Sequence, residues 1–112
     1  MPSHRIDRAS EDIKRELTDI LKSVKDPRVT GMLSVVRLEL TNDLSYCTVY
    51  VSALEGLDHA KSAVEGLKSA GGYIRKELSG RLKLRHTPQL IFVADGGVEK
   101  SAQINKLLDE LL

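Results

Sequence analysis

The chain has 112 residues, with 17 Lys and Arg against 16 Asp and Glu, a formal net charge of +1 and 41% hydrophobic residues. Leu, Ile, Val and Phe make up 33 of the 112 residues, well above the roughly 20% below which chains tend to stay disordered, so one folded domain over 1–112 is expected. The single cysteine, Cys47, excludes an intrachain disulfide and a Cys-rich zinc site.

The longest apolar run, Leu90 to Ala94, is far short of the roughly 20 residues that span a bilayer. No apolar segment of signal-peptide type stands at the N-terminus. The expectation is a cytoplasmic protein without a membrane partner.

In chain order, Arg5 to Val24 reads as an amphipathic helix, because Ile6, Ile13, Leu17, Ile20, Leu21 and Val24 recur at helical spacing. Ser3 is the expected N-cap and Pro27 the stop. A first strand runs from Met32 to Leu40, with Val36, Leu38 and Leu40 on one face and Arg37 and Glu39 on the other. Thr41-Asn42-Asp43 is turn chemistry. A second strand, Tyr46 to Ala53, sets Cys47, Val49 and Val51 against Tyr46, Thr48 and Tyr50, completing an antiparallel hairpin.

Leu57 to Ala70 is the next helix, with Leu57, Ala60, Val64 and Leu67 on its buried stripe. The pattern breaks at Gly71-Gly72 and resumes with Ile74, Leu78 and Leu82. Two adjacent glycines cost about 2 kcal/mol against alanines in a continuous helix, so a kink is expected. Pro88 opens a third strand, Gln89 to Ala94, with Leu90 and Phe92 inward. A closing helix from Val98 to about Leu111 would bury Ile104 and its apolar neighbours. The order predicts an α+β layer, with the long crossover making the second and third strands parallel and right-handed in connection.

The near-zero net charge hides an uneven distribution. Residues 61–86 carry Lys61, Lys68, Arg75, Lys76, Arg81, Lys83 and Arg85 against only Glu65 and Glu77, with His86 at the end. Such a stretch is either a solvated helix face or a field that favours polyanions. The helix after the glycines begins with backbone N–H groups that suit a phosphate oxygen, and Arg75 and Lys76 lie one turn in. Catalysis has no comparable support. His4, His59 and His86 have no metal-ligand spacing, no nucleophile has a partnered base, and no phosphate-binding glycine loop occurs. The expectation is a binding protein without cofactor or metal, and no enzyme.

Several segments, taken together and in order, resemble the bacterial ribosome-binding factor A family. They are Asp26-Pro27-Arg28, Leu38-Glu39-Leu40-Thr41-Asn42-Asp43-Leu44, Val49-Tyr50-Val51-Ser52, Ala70-Gly71-Gly72-Tyr73-Ile74-Arg75, Leu84-Arg85-His86-Thr87-Pro88-Gln89-Leu90-Ile91-Phe92, and Asp95. The resemblance implies a type II KH-like fold: a three-stranded mixed sheet packed against helices, α-β-β-α-kink-α-β, followed by the C-terminal helix. Ordinary KH domains clamp nucleotides with a G-x-x-G loop. This sequence has none, and Ala70-Gly71-Gly72 matches the family's Ala-x-Gly kink instead.

The implied role is assembly of the small ribosomal subunit. The expected partners are the free 30S subunit and the 5′ region of 16S rRNA, whose late maturation the family assists in a manner linked to cold adaptation. Binding would be non-covalent, by a monomer, without a small-molecule substrate. The candidate RNA contacts are Lys68, Arg75, Lys76, Arg81, Lys83, Arg85 and His86. The competing reading is a protein–protein adaptor that docks an acidic partner on the same basic helix pair.

Overall fold

The first amphipathic stretch forms α1 (His4–Leu21) in the computed structural model, which describes residues 4–83 and 86–96. Ile13, Leu17, Ile20 and Leu21 line its buried face. The helix ends three residues before the expected Val24, and Pro27 is not what stops it. Ser23 donates both its hydroxyl (2.7 Å) and its N–H (2.9 Å) to the Ile20 carbonyl, while the Val24 N–H turns to Leu21 O at 3.4 Å. The last turn is thereby tightened and the α-helical ladder closed off. Val24 remains buried as part of the core.

Gly31, with φ 79°, lets the chain turn into β1 (Leu33–Leu40), which starts one residue after the expected Met32. A β-carbon at Gly31 would fall inside the Glu55 carboxylate, which accepts the Met32 N–H at 2.8 Å. β1 pairs antiparallel with β2 (Tyr46–Ala53), but the register shifts between Val35 and Arg37. Val36 is the extra residue of this bulge and lies 44% exposed, so it does not share the inward face with Leu38 and Leu40 as alternation predicts. Val35 takes the buried position instead. One inserted residue reverses the parity of everything before it.

The hairpin loop is held by Thr41, whose hydroxyl donates to Asp43 and accepts the N–H groups of Ser45 and Tyr46, each near 3 Å. Cys47, Val49 and Val51 are fully buried on the inner face of β2, as the alternation predicts. Burial pushes the Cys47 thiol up to about 11.

The chain then forms α2 (Leu57–Ser69), α3 (Gly71–Leu82) and β3 (Gln89–Ala94). β3 lies parallel to β2, from Tyr46↔Gln89 to Val51↔Ala94, in a sheet of order β1-β2-β3. α1 packs on β1 and α3, and α2 packs on β2 and β3. Phe92 is buried and Leu90 half-buried on the same inner face, as expected. The outer face stays open, with Tyr46, Ile91 and Val93 exposed and the Arg37 guanidinium 4.1 Å above the Tyr50 ring.

The break between α2 and α3 falls on Ala70, not on the two glycines. Ala70 alone leaves helical geometry (φ −91°, ψ 9°), and Gly71 and Gly72 already belong to α3. The Ile74 N–H donates to Ala70 O at 2.9 Å, so α3 starts immediately. Ile74 and Leu78 then insert fully into the core. The expected N-cap Ser3, the candidate contact Arg85 and the expected helix from Val98 to Leu111 lie outside the described residues.

Candidate nucleic-acid interface

With Ile74 and Leu78 pinned inward, helical period turns Gly72, Arg75, Lys76 and Ser79 outward. These four, together with His86 and Thr87, line an open groove of about 500 Å³ between α3 and the segment that enters β3. The Arg75 Nη2 donates to the Thr87 carbonyl at 2.8 Å, which lays the side chain across the groove. A guanidinium has five N–H donors in a planar fork, so this bond orients Arg75 and leaves donors for an anion. Lys76 and His86 are exposed beside it.

The basic stretch supplies seven candidate contacts, and the fold separates those it describes. Arg75, Lys76 and His86 meet in one groove. Lys68 forms an exposed ion pair with Glu65 at 3.5 Å and lines a different groove, between α2 and β3, together with Lys61 and Phe92. Lys83 is the left-handed residue that ends α3 (φ 51°, ψ 43°), one position beyond its last turn.

Arg81 is committed elsewhere. Its guanidinium reaches Asp19 at 2.6 Å, Glu16 at 3.6 Å and Glu77 at 3.9 Å, stitching α3 to α1. The hydrogen bond and charge of Arg81 hold the Asp19 carboxyl below its ordinary value, and Asp19 in turn raises Arg81. Three carboxylates account for this cation without any RNA contact.

Gly71 and Gly72 present open backbone. Neither has a positive φ, and a β-carbon on either would meet nothing within 4 Å. They leave the start of α3 accessible, the end of a helix whose dipole favours an anion.

One feature of this region is not expected from the sequence, where Asp26-Pro27-Arg28 marks the end of a helix and a segment of the family resemblance. Asp26 Oδ1 accepts the Arg28 N–H at 2.8 Å and its Nε at 3.0 Å, and Oδ2 accepts Nη2 at 2.9 Å. The same Nη2 reaches Ser69 Oγ at 3.1 Å, so this turn latches the exit of α1 to the end of α2. The Arg28 bonds lower the Asp26 carboxyl to about 2. An acidic residue two before a basic one is the available signal, since Asp commonly accepts the N–H two residues on. Beside the latch a second groove of about 530 Å³ opens between the α1 exit and the first turn of α3.

Fold and surface together define a small α+β protein of α-β-β-α-α-β order, on which Arg75, Lys76 and His86 meet where α3 adjoins the approach to β3. The sequence profile of ribosome-binding factor A matches residues 5–108. Ribosome-binding factor A of Acetivibrio thermocellus is 44% identical over 107 residues, covering 95% of this chain and 87% of that one. The crystal structure of ribosome-binding factor A from Thermus thermophilus superposes with a TM-score of 0.66 at 28% identity, over 76% of this chain and 90% of that one. A homology model of the Thermus thermophilus factor, as fitted into a cryo-EM map of a 30S complex with that factor, gives a TM-score of 0.64 at 28% identity, covering 75% and 88%. This chain belongs to the ribosome-binding factor A family.

Proposed function

We propose that this protein binds the free 30S subunit as a monomer and assists late maturation of 16S rRNA in its 5′ region. The contact is non-covalent and runs through the groove of Arg75, Lys76 and His86. The observation that carries the reading is this cluster of exposed cations beside the open backbone of Gly72. The 30S complex of the Thermus relative adds support for the partner. Arg and Lys supply phosphate contacts that position the protein, and the rigid helix pair supplies shape, with no covalent step. Such binding matters most in the cold, where wrongly paired RNA helices become longer-lived.

The test is sucrose-gradient sedimentation of cell lysate in low magnesium, followed by mapping of 16S 5′ ends in cells lacking the protein. Co-migration with free 30S subunits and accumulation of 5′-extended 16S rRNA are expected. A protein found only at the top of the gradient, or mature 5′ ends throughout, would refute the proposal. A subunit contact that survives ribonuclease digestion would make the basic helix pair a protein-docking surface instead.

A further inference from the structure

We propose that the second groove, between the exit of α1 and the first turn of α3, receives one unpaired nucleobase bearing an exocyclic amino group. The inference rests on the RNA-binding reading above and assigns it a base-reading subsite. The groove has the size of a small-ligand pocket, about 530 Å³, and one aromatic wall. That wall is Tyr73, 43% exposed, the neighbour of the buried Ile74. The Tyr73 and Ser23 hydroxyls share a hydrogen bond of 2.8 Å, which ties the ring to the end of α1. A fixed, half-exposed ring offers the stacking surface on which single-stranded bases commonly rest.

Asp26 supplies the selectivity. Arg28 holds the carboxylate in place through three bonds and keeps it ionised, so it can only accept hydrogen bonds. At the ring position where cytosine and adenine carry an amino group, uracil carries the O4 carbonyl, so an acceptor-only group contacting that position favours the former and disfavours the latter. Lys25 also lines the groove, supplying a cation for the attached phosphate.

The two grooves share the first turn of α3. Ala70 and Tyr73 face one side, and Gly72, Arg75 and Lys76 face the other. A single strand crossing this turn would set a phosphate among the cations and the adjoining base against Tyr73.

The test is fluorescence anisotropy of the full chain with short labelled oligo(rC) and oligo(rU). Wild type is expected to bind oligo(rC) about fivefold or more tighter than oligo(rU), and Asp26→Asn to abolish that preference. Tyr73→Leu, with its helix content checked by circular dichroism, should weaken oligo(rC) binding about 5- to 100-fold, while Tyr73→Phe keeps it. Equal affinity of wild type for the two oligonucleotides, no binding of either, or unchanged binding by Tyr73→Leu would overturn the subsite. Sedimentation with 30S subunits reads the functional proposal separately. If wild type co-sediments and only Arg75→Ala/Lys76→Ala fails, the subunit contact stands and the base subsite falls.

Discussion

The two ends of α3 carry the same sign of charge and face different neighbours. At the N-terminal end, Arg75 and Lys76 border an open groove, and the Arg75 side chain donates to the neutral Thr87 carbonyl. At the C-terminal end, Arg81 is ringed by Asp19, Glu16 and Glu77. A cation whose field is cancelled within its own fold does little to attract a distant polyanion, while one held by a backbone carbonyl keeps its charge. A charge count along the sequence therefore overstates the available field. On the proposed function, the cations that matter are those without a carboxylate neighbour among the described residues.

The strongest way to break this comparison is to remove the floor beneath the open end. Ile74→Ala should destabilise the protein by about 2–5 kcal/mol, because Ile74 is fully buried, and 30S binding should then fall in step with folding, as chemical denaturation and sedimentation would show. A change in binding with no change in stability would mean that Ile74 is not the anchor of that surface. Cys47→Ser probes the core without touching either end of α3. A buried hydroxyl without a partner costs about 1–3 kcal/mol, so the denaturation midpoint should drop while the salt dependence of 30S binding stays as in wild type. In native wild type, Cys47 should also resist alkylation, being buried and neutral until pH rises toward about 11.

A smaller effect, of opposite sign, is expected at the glycines. The sequence pattern predicts that alanines at Gly71 and Gly72 would strain a kink. The structure reverses this, since both positions are helical and open to a β-carbon. Gly71→Ala/Gly72→Ala should therefore stabilise the fold by about 0.5–1 kcal/mol per site, raising the melting temperature. Loss of 30S binding by that more stable variant would mark the bare backbone as part of the contact. Unchanged binding would leave the glycines without a role in it.

The smallest effect concerns the Asp26 latch. Its carboxyl is held below the ordinary value of 3.8, at about 2. Its contribution is therefore complete above a pH of about 4 and lost as pH falls toward about 2. The melting-temperature difference between wild type and Asp26→Asn should vanish over that acid window. A difference that persists unchanged at the acid end would show that the latch does not act through ionised Asp26.

Much of the fold was legible because periodicity survives in the sequence. The inner face of β2, the buried Phe92, and the restart of α3 at Ile74 and Leu78 all follow from spacings of two or of three to four residues. What was not legible came from local hydrogen bonds and insertions that spacing does not encode. Ser23 ends α1 by taking the Ile20 carbonyl, and the bulge at Val36 reverses strand parity. The candidate site divides in the same manner. Arg75 and Lys76 follow from charge near a helix start and His86 from the end of the basic stretch, and the fold brings the three together. That Arg81 faces three carboxylates depends on Asp19 and Glu16, which lie far back along the chain in α1, and no local pattern links them.

The most direct test of the central claim is the salt dependence of 30S binding for Arg75→Ala/Lys76→Ala beside Arg81→Ala. Each lost phosphate contact should reduce the slope of log K against log salt concentration by about 0.7–0.9. The slope expected for the double variant is lower by about 1.4–1.8. For Arg81→Ala an unchanged slope is expected with a lower melting temperature, because that side chain holds α3 to α1. An unchanged slope in the double variant, or a reduced slope in Arg81→Ala, would contradict the claim.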